Sequence, residues 1–196
     1  MYRETPPWDI GAAQPDILEL LDAHPPESPV LDAGCGCGDH AIALAQRGLQ
    51  MVGVDVVEAA IQQAREKAAA SDPEVASRLE FLVGDALRPS RLGRPFGAVV
   101  DSGFLHLFDQ DTRDQYADDL PATLQPGGRL YLLEFAVEFD IPNTPLKVTE
   151  DELRARFTAD KGWRIVALRP AQFLSRIAPV PALAVCIERI SIGGSD

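Results

Sequence analysis

Two rhythms of apolar and polar residues run along this chain, and the points where one gives way to the other mark its elements. Short apolar runs at Pro29–Asp32, Gln50–Asp55, Leu79–Gly84, Phe96–Asp101 and Arg129–Phe135 read as strands. Between them lie stretches with helical spacing. Pro15–Ala23 places Ile17, Leu18, Leu20 and Leu21 on one face, with Pro15 in the first turn. Asp39–Arg47 and Val57–Ala70 are alanine-rich, and the second turns Ile61 and Ala64 inward. Thr112–Leu120 follows, with an acidic outer face that reads as solvated surface from Asp109 to Asp119. Glu150–Phe157 has Thr149 as its cap and Glu152 at the third position. Trp163–Leu168 and Ala182–Ile190 are the last two strands, and the proline-bearing stretch Arg169–Pro181 reads as the loop joining them. Gly193–Asp196 is expected to fray.

The first strand runs into an unusual turn, VLDAGCGCGDH over Val30–His40. Glycines at alternate positions let main chain approach a ligand that a Cβ would hold off. The dinucleotide fingerprint is G-x-G-x-x-G. Here the third glycine comes one residue early, and Asp39 follows it. A pyrophosphate would face the carboxylates of Asp32 and Asp39 and be repelled. A nucleoside with a positive end suits them. S-adenosylmethionine has an ammonium, a sulfonium and no phosphate.

The string Asp32-Ala33-Gly34-Cys35-Gly36-Cys37-Gly38 resembles motif I of the class I S-adenosylmethionine-dependent methyltransferases. Two further positions fall in register. Asp55, about 20 residues past the glycines, ends the second strand where a carboxylate receives ribose hydroxyls; the plainer reading is a cap for the next helix. Asp85 follows the third strand. The resemblance implies that it accepts from the adenine amino group, with Ala86 and Leu87 flanking the ring; the plainer reading is a turn aspartate. The implied cofactor set is Asp32, Gly34, Cys35, Gly36, Gly38, His40, Asp55, Val56, Asp85, Ala86, Asp101 and Ser102. His40 is either a cofactor contact or a surface helix residue. The Pro126-Gly127-Gly128 turn before the fifth strand also matches the family.

The resemblance implies a Rossmann-like α/β three-layer sandwich with a seven-stranded, mostly parallel sheet and an antiparallel last strand. It spans the chain as one domain: an N-terminal lid and helix (1–28), a cofactor-binding core (29–135), and a substrate-side loop with a C-terminal hairpin (136–196). The string Pro7-Trp8-Asp9-Ile10-Gly11 resembles the entry of small-molecule methyltransferases of the thiopurine-methyltransferase-like kind, most of all the group acting on heterocyclic toxins and quinolones. Trp8 and Ile10 belong to a lid over the ligand or to a tail packed outside.

Composition narrows the partners. A net charge of −12 with no basic cluster argues against nucleic acid. The loop after the fourth strand also lacks the [D/N]-P-P-[Y/F/W] string of amino-group nucleic-acid methyltransferases. No apolar run approaches the roughly 20 residues of a membrane helix. The N-terminus lacks the apolar core of a secretory signal, so a cytoplasmic protein, monomer or homodimer, is expected. Cys35, Cys37 and Cys186 are odd in number and read as packing residues, with no zinc site.

The expected reaction is methyl transfer from S-adenosyl-L-methionine, giving S-adenosyl-L-homocysteine, to oxygen, nitrogen or sulfur of a small aromatic or heterocyclic acceptor. Trp8, Phe104, Phe108, Phe139 and Phe173 are the candidate acceptor pocket, unless they are simply core. Ala136–Thr149, with Phe139, Pro142, Asn143 and Pro145, reads as a loop covering the acceptor or as a plain linker. His106 is the candidate base, or a histidine bonded beneath the next helix; Asp101 joins it as a catalytic candidate or as the residue shaping the loop. A protein that binds the cofactor without turnover, or a nicotinamide oxidoreductase, are the competing readings.

Overall fold

The computed structural model describes residues 6–140 and 144–191. Pro142, Asn143 and Gly193–Asp196, named above, lie outside them. Seven strands form one sheet: β1 (Val30–Ala33), β2 (Met51–Asp55), β3 (Leu79–Val83), β4 (Phe96–Ser102), β5 (Leu124–Phe135), β6 (Trp163–Phe173) and β7 (Val180–Arg189). Their order is β3-β2-β1-β4-β5-β7-β6. The first five run parallel, and β7 is antiparallel to both neighbours, β5 and β6. Among the described residues no helix is long and apolar enough to cross a membrane.

Alternation along the strands divides the core in two. Val30, Tyr131 and Leu133 pack on one face, with Ile17 and Leu21 from α1 (Pro15–Ala23), Leu44 from α2 (Asp39–Gln46) and Ile61 from α3 (Glu58–Ala69). Leu31, Leu130 and Leu132 pack on the other, with Leu120 from α5 (Gln110–Thr123) and Leu153 from α6 (Glu150–Arg156). A strand buried on both faces has no polar side to signal it, which is why these read as continuous apolar runs. A one-turn helix that the pattern did not show, α4 (Pro73–Ala76), is capped by Asp72, whose Oδ1 accepts from Glu74 N at 2.8 Å.

Two expectations change. The Pro126-Gly127-Gly128 turn lies within β5: Leu124 pairs with Phe96, the chain bulges out, and Arg129 rejoins opposite Ala98. The stretch Arg169–Pro181 is mostly strand, paired from Arg169–Ala184 to Phe173–Val180, so only 174–179 are left to turn. Proline was a misleading sign there. β6 is the sheet edge, where a missing N–H costs least.

Between β1 and β4 the connections leave in opposite directions. That leaves a crevice beyond the carboxyl ends of the strands, the usual ligand position in such sheets.

Candidate functional site

A cavity of about 410 Å³ opens in that crevice. Its floor is the turn after β1. Gly34 N and Cys35 N both donate to Val54 O, at 2.9 and 3.0 Å, and Gly38 N donates to Cys35 O at 2.9 Å. Gly38 enters α2 with φ of +80°, and a Cβ there would lie 2.7 Å from Phe81 Cζ. Phe81 also fills the space that Gly53 leaves in β2. The glycines are therefore needed by packing as much as by any ligand.

Asp55, at the tip of β2, is tied into this turn. Its Oδ2 accepts from Gly36 N at 2.9 Å and its Oδ1 from Val57 N at 2.8 Å. Each oxygen keeps a lone pair for the cavity. Asp85, beyond β3, is exposed and accepts from Leu87 N at 3.0 Å; Ala86 beside it is buried. Gly34, Cys35, Gly36, His40, Asp55, Val56, Asp85, Ala86 and Ser102 all line the cavity. Gly38, Asp32 and Asp101 do not. Asp32 lies just beneath, with Oδ2 buried and unpartnered, as is Ser102 Oγ. Burial pushes the Asp32 carboxyl up to about 7, and the nearby charges of Asp55, Asp101 and Asp39 push the same way.

The roof is the N-terminal segment. Trp8, Asp9, Ile10, Ala12 and Gln14 line the cavity from above. The segment is fastened at several points: Arg176 N donates to Pro7 O at 2.8 Å, and the Gln14 side chain pairs with both main-chain groups of Leu174. His40 Nε2 accepts from Gln14 N at 3.1 Å, so this residue pins the roof to α2 rather than facing solvent. Burial lowers its pKa to about 4, which keeps it an acceptor.

Beyond β4 the cavity becomes aromatic. Phe104, Phe108, Phe173 and Phe135 line it with His106. Phe104 meets Phe108 edge-on, with centroids 4.9 Å apart, and Phe135 stacks on His106 at 4.1 Å. Phe139 lies behind Phe135 and does not reach the wall. Pro145, from the connection after β5, does. Phe135, at the tip of an apolar strand, was not foreseen as a site residue.

His106 sits in a 3₁₀ turn, Leu105–Leu107, above a buried polar cluster. Its Nδ1 is 2.9 Å from Glu134 Oε2, which also accepts from His106 N at 3.0 Å. Asp101 Oδ1 accepts from Phe104 N and Leu105 N, at 3.0 and 3.2 Å, so Asp101 shapes the loop and stays out of the cavity. Burial and the neighbouring Glu134 hold the Asp101 carboxyl well above its ordinary range. Arg113 in α5 is wholly buried. It donates to Leu105 O, Leu146 O and Lys147 O and to Glu152 Oε1, which ties the His106 turn to 146–147 and α6. The acidic run around it is the solvated surface expected, with Asp109, Asp111, Asp114 and Asp118 exposed; within it Asp109 caps α5, Asp114 pairs with Arg156, and Asp119 accepts from Ser90.

A main-chain cradle at the switch point, with acids at the tips of β2 and β3, is the build of a Rossmann-like nucleotide-binding protein. The charged residues on the wall are Asp9, Asp39, Asp55 and Asp85, with no Lys or Arg among the described ones. Unpartnered acceptors at Asp32 and Ser102 beside these carboxylates fit a nucleoside with a cationic end. Residues 30–128 match the family described as a methyltransferase domain, and the chain belongs to that family. It is 34% identical over 170 residues to the 2-heptyl-1-hydroxyquinolin-4(1H)-one methyltransferase of Mycobacteroides abscessus, covering 85% of this chain and 72% of that protein. It is 30% identical over 149 residues to thiocyanate methyltransferase 1 of Arabidopsis thaliana, covering 74% of this chain and 63% of that one. A structure solved in work on the conversion of a disulfide bond into a thioacetal group during echinomycin biosynthesis superposes with a TM-score of 0.81 at 30% identity, covering 97% of this chain and 87% of the other. The magnesium protoporphyrin IX methyltransferase of Synechocystis, solved with bound S-adenosylmethionine, gives 0.68 at 25% identity over 88% and 76%. The chain is an S-adenosylmethionine-dependent methyltransferase.

Proposed function

We propose that this methyltransferase acts on a flat aromatic or heterocyclic acceptor that enters the cavity uncharged. The observation that carries the reading is the division of one cavity into an acidic half and an aromatic half. In the acidic half, Asp55 takes the ribose hydroxyls, Asp85 the adenine amine, and Asp32 with Ser102 the amino-acid end. S-adenosylmethionine, when bound there, supplies a methyl group already activated by its sulfonium. In the aromatic half, Phe104, Phe108, Phe135 and Phe173 hold a planar ring by apolar contact and edge packing. Asp9, Asp55 and Asp85 on the wall, with no basic residue among its described ones, disfavour anionic acceptors such as thiocyanate; Asp39 there is already paired with Lys67 at 2.7 Å. The similarity to a quinolone methyltransferase supports the same choice.

The protein's own work is then threefold. It fixes the acceptor atom in line with the transferred carbon, which is worth up to roughly 7–11 kcal/mol in favourable cases. The fastened roof keeps water from the apolar half. His106 lines the cavity with Nε2 bonded to no group among the described residues, and that nitrogen takes the acceptor's proton.

The test is incubation of the purified protein and S-adenosylmethionine with phenols, hydroxyquinolones, heterocyclic amines, thiols and thiocyanate, following S-adenosylhomocysteine and product mass. Transfer to planar neutral acceptors is expected. Preferred transfer to thiocyanate would overturn the acceptor reading, and tight cofactor binding with no transfer to any of them would favour a protein that only binds it.

A further inference from the structure

Glu134 is a carboxylic acid one residue from the end of β5, between Leu133 and Phe135 in the segment RLYLLEF. It is completely buried and does not touch the cavity wall. Such a burial is costly unless the group is bonded. What surrounds it is specific. From the turn above, His106 presents both its main-chain N–H, at 3.0 Å, and its Nδ1, at 2.9 Å, to the same oxygen, Oε2. Asp101 on β4 lies alongside it; Asp101 Oδ2 and Glu134 Oε1 are both buried with no donor on them, and one proton shared between the two carboxyls would satisfy both. Arg113 and Tyr116 face it from α5, and Gly103 N, nearby, donates to Leu133 O at 3.0 Å.

A neutral imidazole has one donor and one acceptor nitrogen, and the partner of one decides the state of the other. Two arrangements are chemically open, and they differ in what the Phe135 N–H meets. With Glu134 ionised, Nδ1 keeps its proton and donates to Oε2, the Phe135 N–H 3.3 Å away gives up Nδ1 as its acceptor, and Nε2 is left with a lone pair. With Glu134 protonated, Nδ1 becomes an acceptor, Phe135 N–H at 3.3 Å joins as a second donor, and Nε2 carries the proton. Only the first can accept a proton from an acceptor molecule.

We propose that Glu134 is the positioning residue of this methyltransferase, its ionised carboxylate holding His106 in the tautomer whose Nε2 is the base. The proposal rests on the reading of His106 as that base. In the step it governs, the acceptor's X–H bond breaks and its proton goes to Nε2. X bonds to the methyl carbon, and the electron pair of the broken C–S bond stays on sulfur. The proton then leaves His106 to water.

The electrostatics give this a signature. Burial raises the Glu134 carboxyl to about 7, against the lowering effect of the bonds from Asp101 and His106 N. Burial lowers His106 to about 4, with the Asp101 charge opposing and Arg113 adding to the fall. The ring therefore stays neutral where the carboxyl titrates. The limb of kcat on the acid side belongs to the carboxyl pair, with no imidazolium forming along it.

Two measurements test this. The first is nitrogen-15 NMR of the His106 ring in the protein without cofactor, from pH 5 to 9. The Nδ1–H form is expected above pH 7 and the Nε2–H form below it, both neutral. An Nε2–H ring at pH 9, or an imidazolium appearing with a midpoint near 7, would overturn the proposal. The second is Glu134→Gln. It should keep a folded spectrum and the wild-type KM for S-adenosylmethionine, lose at least about 10-fold in kcat, and lose the acid limb; the ceiling is the roughly 10²–10⁴-fold of a missing base. Full kcat with the limb intact would overturn it. Should Glu134→Gln fail to fold, the ring titration of the wild type decides alone. If His106→Ala keeps full turnover, the base reading itself falls, and the tautomer titration still reports on Glu134 separately.

Discussion

Replacing Asp55 by Asn separates a turn staple from a ligand contact. The carboxylate accepts two main-chain N–H groups, Gly36 at 2.9 Å and Val57 at 2.8 Å, one on each oxygen. Asparagine has the same shape but only one acceptor oxygen. One N–H keeps a neutral partner and the other meets an amide NH₂. A hydrogen bond to a charged group is worth about 1.5–3 kcal/mol, so the folded protein should lose about that much. The ribose hydroxyls would use the remaining lone pairs of the same two oxygens. Losing the charged acceptor there should cost binding a further 1.5–3 kcal/mol, or about 10- to 150-fold in Kd. Urea unfolding measures the first quantity. Calorimetric titration with S-adenosylhomocysteine, which cannot turn over, measures the second, at a temperature where the variant is fully folded. A stability loss with an unchanged Kd would refute the ribose assignment and leave Asp55 as a staple for the glycine turn. An unchanged stability would refute the energetic reading of the two bonds.

The acidic half of the cavity is legible in the sequence because it is local. Asp32 to Gly38 and Asp55 sit at the ends of apolar runs, and a parallel sheet brings strand ends together whatever the loops do. The aromatic half is assembled from distant pieces, and there the residues mislead. Phe139 looks like Phe108 in the sequence, yet one backs the wall and the other forms it. Arg113 stands in an acidic stretch that reads as surface, and is buried only because three carbonyls and Glu152 converge on it. Glu134 did carry a signal. A lone carboxylate in a strand covered on both faces has no water to turn to, so it needs a partner from elsewhere in the chain. The ends of β6 and β7 were missed for a related reason: strand pairing overrode what Pro170 and Pro181 suggest locally.

Three further outcomes follow from the packing and charges. Gly38→Ala should cost about 2–5 kcal/mol, adding left-handed strain to a Cβ placed 2.7 Å from Phe81; Gly11→Ala, with similar φ and open space, should cost only the strain, and equal losses by urea unfolding would refute the packing part. If Asp32 holds the ligand's ammonium, as proposed above, it must be ionised to do so; burial holds its carboxyl at about 7, so S-adenosylhomocysteine affinity should rise with pH toward that value and then level off. Asp32→Asn should flatten the profile, and a wild-type Kd constant from pH 5.5 to 8 would refute the contact. The last concerns Arg113→Met, which keeps the apolar stem and removes the guanidinium. Glu152 retains Arg156 at 2.7 Å, so no carboxylate is stranded. Three carbonyls lose this donor: Leu105 O keeps Phe108 N, while Leu146 O and Lys147 O, in the segment that carries Pro145 to the cavity wall, lose theirs. At about 1–3 kcal/mol for each group left without a partner, several kcal/mol of stability should go. The His106 turn loses one of its ties and keeps others, Leu146 N donating to His106 O at 2.7 Å among them, so kcat should fall in part while the Kd for S-adenosylhomocysteine stays within about 2-fold. Loss of cofactor affinity in step with kcat would show that the two halves of the cavity are not held independently.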